Sequence, residues 1–201
     1  MIRRTLGDKK RFILATALCA MAFPVTVHAL NTSNDARVEF RQVLTLGNEV
    51  DMDFGTIFVA GTPGAGDTVN MGTNGLISYT GGFSGSGTGT AGKVDITAGT
   101  NSQTVNVFCD ASATMTNGAG ASINVTSIET VAEGSETSFG SGNACNGMGS
   151  VAASIVLNIG TLDTFVFGGR IDGATATSFT GGNFSTANAG GDDIRVDIIY
   201  Q

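Results

Sequence analysis

The feature that most constrains the fold is a short alternation of apolar and polar residues, which recurs along most of the chain. The clearest runs lie at 36–40, 94–96, 105–107, 123–125 and 194–200. Side chains of a β-strand point to opposite faces in turn, so a period of two predicts strands with one buried face. No segment after the first 30 residues carries apolar residues at helical spacing over several turns. The sequence therefore predicts an all-β fold.

Clusters of Gly, Asn, Ser and Thr separate these runs, as turns do. Many short strands joined by turns are typical of sandwiches and barrels, and we expect an immunoglobulin-like sandwich of two sheets. The mean hydropathy of +0.19 argues against disorder, although the chain has 30 glycines. Two tracts, 81–92 and 134–149, lack a hydrophobic pattern, and we expect both to be long surface loops.

The first 29 residues have the three-part layout of a secretion signal. Basic residues precede an uncharged, largely apolar run at 12–23, and small side chains follow at Val27 and Ala29. That run is too short for a bilayer, which needs about 20 residues. We expect cleavage after Ala29, an N-terminal arm or first strand at 30–45, and a single domain at 46–201. The mature chain would then have no membrane span.

Two other interpretations of this segment stay open. Arg3 and Arg4 are compatible with a twin-arginine signal, although the residues after them fit that pattern poorly. Cys19 is compatible with a lipidated cysteine, although Leu18 precedes it where a small side chain is usual. The secretion signal predicts export through the periplasm, to the cell surface or the medium.

The charge of the mature chain limits its partners. Cleavage after Ala29 leaves five basic and sixteen acidic residues, a formal charge of −11. Such a surface repels the phosphates of nucleic acids and anionic lipid head groups, so neither is an expected partner.

Cys109 and Cys145 are the two cysteines beyond the signal. An even pair in an exported chain predicts a disulfide, with two unpaired thiols as the alternative. The pairing would also remove both thiolates as nucleophiles.

The mature chain offers little for catalysis. The only histidine is His28, inside the signal, so triads and zinc sites that need an imidazole are excluded. Lys93, the only mature lysine, lies among glycines and is expected to be a solvated strand residue. The spacing of Gly87, Gly89 and Gly92 fits a dinucleotide fingerprint, but that motif needs a strand and a helix around it.

Carboxylates remain the last candidates for chemistry. Two carboxylates are enough for a glycosidase. Sugar clefts are usually lined by aromatic side chains, however, and the chain has no Trp and only two Tyr. We expect Glu129, Glu133 and Glu136 to form a solvated loop edge. Asp51, Asp53 and the pair 192–193 are the candidates for a calcium site, although no calcium-loop pattern is present. The expectation is therefore a protein that is not an enzyme and has no cofactor and no metal.

Four short segments resemble a bacterial family of exported, pilin-like domains of unknown function, related to spore coat protein U and to fimbrial subunits. They are Met52-Asp53-Phe54-Gly55-Thr56-Ile57, the strand Val105-Asn106-Val107-Phe108-Cys109-Asp110, Phe165-Val166-Phe167-Gly168-Gly169, and Phe179-Thr180-Gly181-Gly182-Asn183-Phe184 with the alternation into Tyr200. They follow one another in order over most of residues 46–201. Phe179 stands where a tyrosine is usual in the family, and the second cysteine comes later than usual.

The resemblance implies a pilin-like sandwich that lacks one strand, and a structural subunit of a cell-surface fimbria. In such fibres, a strand from a periplasmic chaperone and then the N-terminal arm of the next subunit fill the gap. The partners implied are identical or related subunits, the chaperone and an outer-membrane usher. The candidate donor-arm residues are Ala36, Val38, Phe40 and Leu44. The candidate residues of the C-terminal, chaperone-type strand are Ile194, Val196, Ile198 and Tyr200.

The same residues also permit a simpler interpretation. Alternation at 36–44 is equally typical of an ordinary first strand, and an aromatic residue near the end of a last strand is often part of a core. The alternative function is a self-contained secreted surface, coat or matrix domain, such as a carbohydrate-binding adhesin.

Overall fold

The computed structural model describes residues 38–39, 41–158, 163–177 and 181–201. The chain divides into two units, residues 1–39 and residues 40–201, and the second unit holds all the strands of the described residues. The elements are β1 Thr45–Val50, β2 Ile57–Val59, β3 Thr68–Met71, β4 Ile77–Tyr79, β5 Phe83–Gly85, β6 Gly92–Ala98, β7 Thr104–Cys109, β8 Ser112–Thr116, β9 Ser122–Ala132, β10 Asn143–Ala144, β11 Ala153–Val156, β12 Asp163–Asp172, a 3-10 turn Gly173–Thr175 and β13 Val196–Tyr200.

The larger sheet is built around β12. One edge of β12 pairs with β9 along most of its length, and the other edge pairs first with β6 and then with β3. Strand β1 extends the sheet beyond β6, β4 extends it beyond β3, and β8 and β10 pair with β9. All of these pairs are antiparallel, as short connections between neighbouring strands favour.

The smaller sheet has three antiparallel strands in the order β11-β7-β13. Its inward side chains share one buried cluster with those of the larger sheet: Val107 and Ile198 pack in the same core as Phe165, Phe167 and Val125. Two sheets that share a core in this way form a β-sandwich, so the predicted all-β sandwich is confirmed. Strands β2 and β5 form a separate two-stranded ribbon.

The Cys109–Cys145 disulfide is confirmed, and it joins the two sheets. Cys109 ends β7 of the smaller sheet, and Cys145 follows β10 of the larger sheet, where its backbone N–H donates to the Ile128 carbonyl. The two Cα atoms lie 5.1 Å apart, and both residues are buried. The bond therefore ties the central strand of the smaller sheet to the sandwich.

The outer face of the larger sheet is covered by the loop after β9. The Thr137 carbonyl accepts from Asn74 N–H, and a Cβ built on Gly72 would lie 2.6 Å from the Phe139 nitrogen. A glycine is therefore required at position 72 for the loop to approach the strand so closely. Val131 and Val166 are buried in a second, smaller cluster, separate from the main core.

No helix in the described ranges is long and apolar enough to cross a membrane.

Candidate functional site

Strand β13 has one paired edge. It pairs with β7 over five residues, from Val196 opposite Cys109 to Tyr200 opposite Val105. Among the described strands none pairs with its other edge. That edge therefore presents backbone N–H and C=O groups to which a further strand can add.

Strand β1 is the edge strand on the facing side. It pairs with β6, and no described strand lies on its other side. An open groove lies between β1 with the segment after it and the segment that leads into β13. We call this the groove. Among the described residues, no strand lies between these two edges of the sandwich.

The groove has two adjoining sections, of about 500 and 690 Å³, which share Met52, Phe54, Met115 and Phe184. The apolar side chains lining the first section are Leu46, Val50, Met52, Phe54, Val94, Met115, Val125, Phe167, Phe184, Ile194 and Val196. In the second section the lining reaches Ile123 and Ile171. The buried core thus lies directly beneath the groove. Partly buried side chains such as Met52, Met115 and Ile194 offer apolar surface on which the side chains of an added strand could pack.

One end of the groove is closed by contacts between the end of β13 and residues 41–42, which precede β1. The Tyr200 hydroxyl donates to the Gln42 carbonyl at 2.8 Å and accepts from Thr100 N–H at 2.6 Å. The Arg41 guanidinium lies 5.3 Å from the centroid of the Tyr200 ring and donates to the Gln201 carbonyl at 3.1 Å. These contacts fix residues 41–42 across the end of β13.

The predicted C-terminal residues lie together on one face of the last strand. Ile198 is buried in the main core, and Val196 and Tyr200 pack partly buried against it. Ile194 precedes the strand, and with Val196 it lines the groove. The side chains on this face therefore extend from the buried core, at Ile198, to the groove, at Ile194.

The predicted donor-arm residues are described only in part. Ala36 and Phe40 lie outside the described residues. Val38 is 74% exposed, whereas Leu44 is half-buried and packs against the core of its own domain.

Of the apolar groove lining, the sequence reasoning had assigned only Ile194 and Val196 to assembly, and it missed the rest. Met115 comes from β8, a strand that was not predicted, and Phe184 comes from the irregular segment before β13. Leu46 lies on β1. The alternation of Ala113 and Met115 was the signal for β8, but the Thr and Ser residues around it weaken the pattern.

The rim of the groove is acidic. Glu49, Asp51 and Asp193 line its first section, together with Lys93, whose ammonium forms an ion pair with Glu133 at 2.8 Å. Asp53, the other strand candidate for calcium, accepts from Gly55 N–H at 2.7 Å. Among the described residues, no group of three or more Asp, Glu, His or Cys side chains lies close enough to hold a metal ion.

The expectation of a solvated loop edge was wrong for Glu129. Its side chain lies beneath the loop after β9 and is 4% exposed, with Oε2 accepting from Gly140 N–H at 2.9 Å and Gly142 N–H at 3.1 Å. Oε1 is buried without a hydrogen-bond partner among the described residues. Burial raises the pKa of Glu129 above 4.5, and the two glycine N–H groups oppose this only in part.

Glu129 should make stability depend on pH. Because its pKa is raised in the folded state, the stability it contributes is complete below pH 4.5 and is lost as pH rises through the folded pKa. Glu129→Gln keeps an acceptor for both glycines and removes the titration, so its denaturation midpoint should change less between pH 4 and pH 7 than that of the wild type. Glu129→Ala leaves both N–H groups unpaired and should cost about 2 kcal/mol near pH 4, and less at pH 7, because the wild type alone loses stability as Glu129 ionises.

Urea midpoints of the three chains across this pH range test the prediction. Hydrogen bonding from Gly134 N–H lowers the pKa of Glu136, so the pH dependence that Glu136 gives to stability has the opposite sign. Because all three chains contain Glu136, this contribution is the same in each. Equal pH slopes for the wild type and Glu129→Gln would show that Glu129 does not titrate as argued.

Comparison with models of protein families finds a match over most of the chain. The model of a domain family of unknown function, DUF4402, matches residues 44–190, which include most of the strands and both cysteines of the disulfide. Neither the curated proteins nor the solved structures contain a match to this chain.

Proposed function

The chain belongs to the DUF4402 family of domains of unknown function, and we propose that it is the structural subunit of a fimbria-like cell-surface fibre assembled by donor-strand complementation. The single observation that carries the proposal is the groove between two strand edges, which has buried core side chains at its floor and partly buried apolar side chains along its flanks. In the proposed fibre, the N-terminal arm of one subunit fills the groove of the next.

Backbone pairing supplies one part of the fit. A strand placed in the groove can form a ladder with β13, whose second edge meets no described strand. Strand addition of this kind gains affinity from main-chain hydrogen bonds and specificity from alternate side chains. The ladder would extend the three-stranded sheet to four strands.

The arm supplies the other part. With cleavage after Ala29, the part of the predicted arm 30–45 that precedes Arg41, residues 30–40, has eleven residues and can extend about 36 Å, while the seven residues 194–200 span about 23 Å. Ala36, Val38 and Phe40 alternate with Arg37 and Glu39. An extended arm would thus place three apolar side chains in the groove and its charges at the solvent side. Leu44 packs in its own domain and is left out of the donor set.

The proposal also implies partners before assembly. An apolar groove with a free strand edge is prone to unspecific pairing, so the exported subunit would need cover until its neighbour arrives. A periplasmic chaperone strand would provide this cover, and an outer-membrane usher would exchange it for the arm of the next subunit. The place of action would be the cell surface.

A matched pair of variants tests the donor arm. Val38 and Val43 are both exposed, 74% and 83%, but only Val38 lies in the apolar phase of the arm. Val38→Asp would put a carboxylate into the apolar groove of the neighbour, whereas Val43→Asp makes the same change outside it. We expect Val38→Asp to reduce polymer at least about tenfold and Val43→Asp to leave it unchanged. Phe40→Asp should act like Val38→Asp.

The measurement is a denaturing gel of surface material sheared from native cells, loaded with and without boiling. A ladder that collapses to one band on boiling is expected for the wild type and Val43→Asp. An equal ladder from Val38→Asp would contradict the donor-arm assignment. A single monomer band from the wild type in both lanes would contradict polymerisation and favour a self-contained surface or matrix domain, to be tested next for glycan binding.

A further inference from the structure

Strand β11 is the second open edge of the smaller sheet. All four of its residues pair with β7, and no described strand pairs with its other side. Leu157, which follows β11, donates its N–H to the Gln103 carbonyl on the β7 side. Because the hydrogen bonds of an antiparallel strand alternate in direction, the backbone groups of Ser154 and Val156 point away from β7. This side of β11, which we call the β11 edge, can therefore pair with a further strand.

The β11 edge has none of the side chains that usually protect an edge strand. The segment 151–157 contains no charged residue, no proline and no glycine, and Val and Ile are prominent in it. Val156 is 61% exposed, Val151 is 49% exposed, and Ser154 is exposed as well. An uncharged, β-prone segment of this length on an open edge is typical of strands that pair with another chain.

The two edges that flank the groove differ from the β11 edge in charge. Strand β1 carries Glu49 and is followed by Asp51, and strand β13 carries Asp197. In contrast, the sequence has no charged residue between Glu136 and Asp163, a stretch that includes the whole of β11. Acidic side chains therefore oppose the approach of a second acidic chain at β1 and β13, but not at β11.

We propose that the β11 edge pairs with the β11 edge of a second copy of this chain, so that two three-stranded sheets become one sheet of six antiparallel strands. The predicted mature chain has a formal charge of −11, so two copies repel each other over most of their surface. An uncharged edge is where they can approach at the lowest electrostatic cost. A basic partner, in contrast, would be attracted to the acidic surfaces and not to this edge.

The geometry of the edge suits a symmetric pair. Two copies of one strand related by a twofold axis are antiparallel, and each copy offers the same surface to the other. With the axis at Ile155, Ser154 of one copy lies opposite Val156 of the other. These are the residues whose backbone groups point outward, so each opposed pair exchanges two hydrogen bonds.

The inference goes beyond the proposed function and does not depend on it. β11 and β13 are opposite edges of the smaller sheet, and the described residues that line the groove come from other parts of the chain. The groove would join subunits end to end, whereas the β11 edge joins two chains side by side. In a fibre, this second contact would hold neighbouring fibres together.

Sedimentation equilibrium of the mature chain tests the pair. All chains carry Val38→Asp, which blocks polymers formed through the groove, so that a dimer must arise elsewhere. Ser154→Lys with Val156→Lys puts like charges directly opposite each other across the twofold axis, which opposes pairing. The control, Val43→Lys with Leu76→Lys, adds the same charge at two exposed apolar residues outside β11. Both variants lower the net negative charge equally, so general repulsion between copies cannot explain a difference between them.

The dissociation constant of the dimer should rise at least about tenfold in the β11 variant and stay unchanged in the control. Amide exchange supplies a second measurement that needs no variant. The outward N–H groups of Ser154 and Val156 should exchange rapidly in dilute protein and more slowly as the concentration rises, because only the dimer gives them a partner.

The outcomes separate this inference from the fibre proposal. Equal dissociation constants for the β11 variant and its control would overturn the pairing, and so would a reference chain that is still monomeric at about 1 mM. Exchange of the two amides that does not change with concentration would place the dimer contact elsewhere and overturn it too. A missing gel ladder from wild-type cells would contradict the fibre alone, because the dimer is measured with the groove contact blocked.

Discussion

Reduction of the Cys109–Cys145 disulfide is expected to lower the free energy of unfolding by about 4 kcal/mol. The bond closes a loop with a sequence separation of 36 residues, and the chain-entropy model gives roughly this value for such a loop. Since small domains are stable by about 5–15 kcal/mol in total, the loss would be a large share. The reduced chain should still fold, with a much lower denaturation midpoint.

The location of the bond adds a functional consequence. Cys109 ends β7, the only described neighbour of β13, and Asp110 follows with a carboxylate that accepts from Arg195 N–H at 3.0 Å. If the end of β7 loosens, the start of β13 loosens with it. We therefore expect reduced subunits to assemble poorly, because the β13 flank of the groove would no longer be held in place.

Urea denaturation of the oxidised wild type, the reduced wild type and the double variant Cys109→Ala/Cys145→Ala measures the effect. The reduced wild type keeps both sulfur atoms in the core, so it separates the loss of the cross-link from the loss of side-chain volume. Equal midpoints for oxidised and reduced wild type would contradict a stabilising role.

The alternation of the sequence predicts the strands that carry large β-branched and aromatic residues. β9 and β13 lie where Ile and Val alternate with polar residues, since burial of one face requires that pattern. β12 instead carries the continuous apolar run Phe165–Phe167, because both of its faces are buried. The pattern is weak where small residues make the strand. β5 lies inside the tract 81–92, which was predicted to be a loop, and it buries Phe83.

Other differences arise from tertiary contacts that no local pattern contains. The segment 52–59 does not form one continuous strand: Gly55 has a φ of +66°, Asp53 forms an isolated bridge with Thr90, and Ile57–Val59 pairs with β5. Glu129 is buried because a distant loop covers it. The groove also depends on tertiary structure, because it lies where no described strand pairs with β13. The sequence of a strand does not show whether a neighbouring strand will pair with it.

A second copy of the arm, joined after Gln201 through a flexible loop, should fill the groove of its own subunit. A strand that turns back beside β13 runs antiparallel to it, and short flexible loops make such connections. Residues 34–40, appended in this way to the chain 30–201, would place Ala36, Val38 and Phe40 in the groove. This subunit should be monomeric on the gel, since its groove can no longer accept a neighbour.

The same appended strand should also raise stability. Burial of Val38 and Phe40 contributes about 1.5–3 kcal/mol each, before the cost of ordering the strand. The matched control carries Val38→Asp in the appended copy alone, which removes one burial and puts a charge in the groove. The difference in free energy of unfolding between the two fused chains should exceed about 2 kcal/mol, because the ordering cost is the same in both.

Three measured quantities together decide the point: the unfolding midpoint of each fused chain, that of the unfused chain, and the gel ladder. A higher midpoint and no ladder with the native arm sequence, both reversed by Val38→Asp, are expected if the groove accepts the arm. Identical midpoints for the two fused chains, with a ladder persisting in both, would mean that the groove does not recognise residues 36–40. The edge of β13 that no described strand pairs with would then need a different occupant, and the N-terminal arm would lose its assigned role.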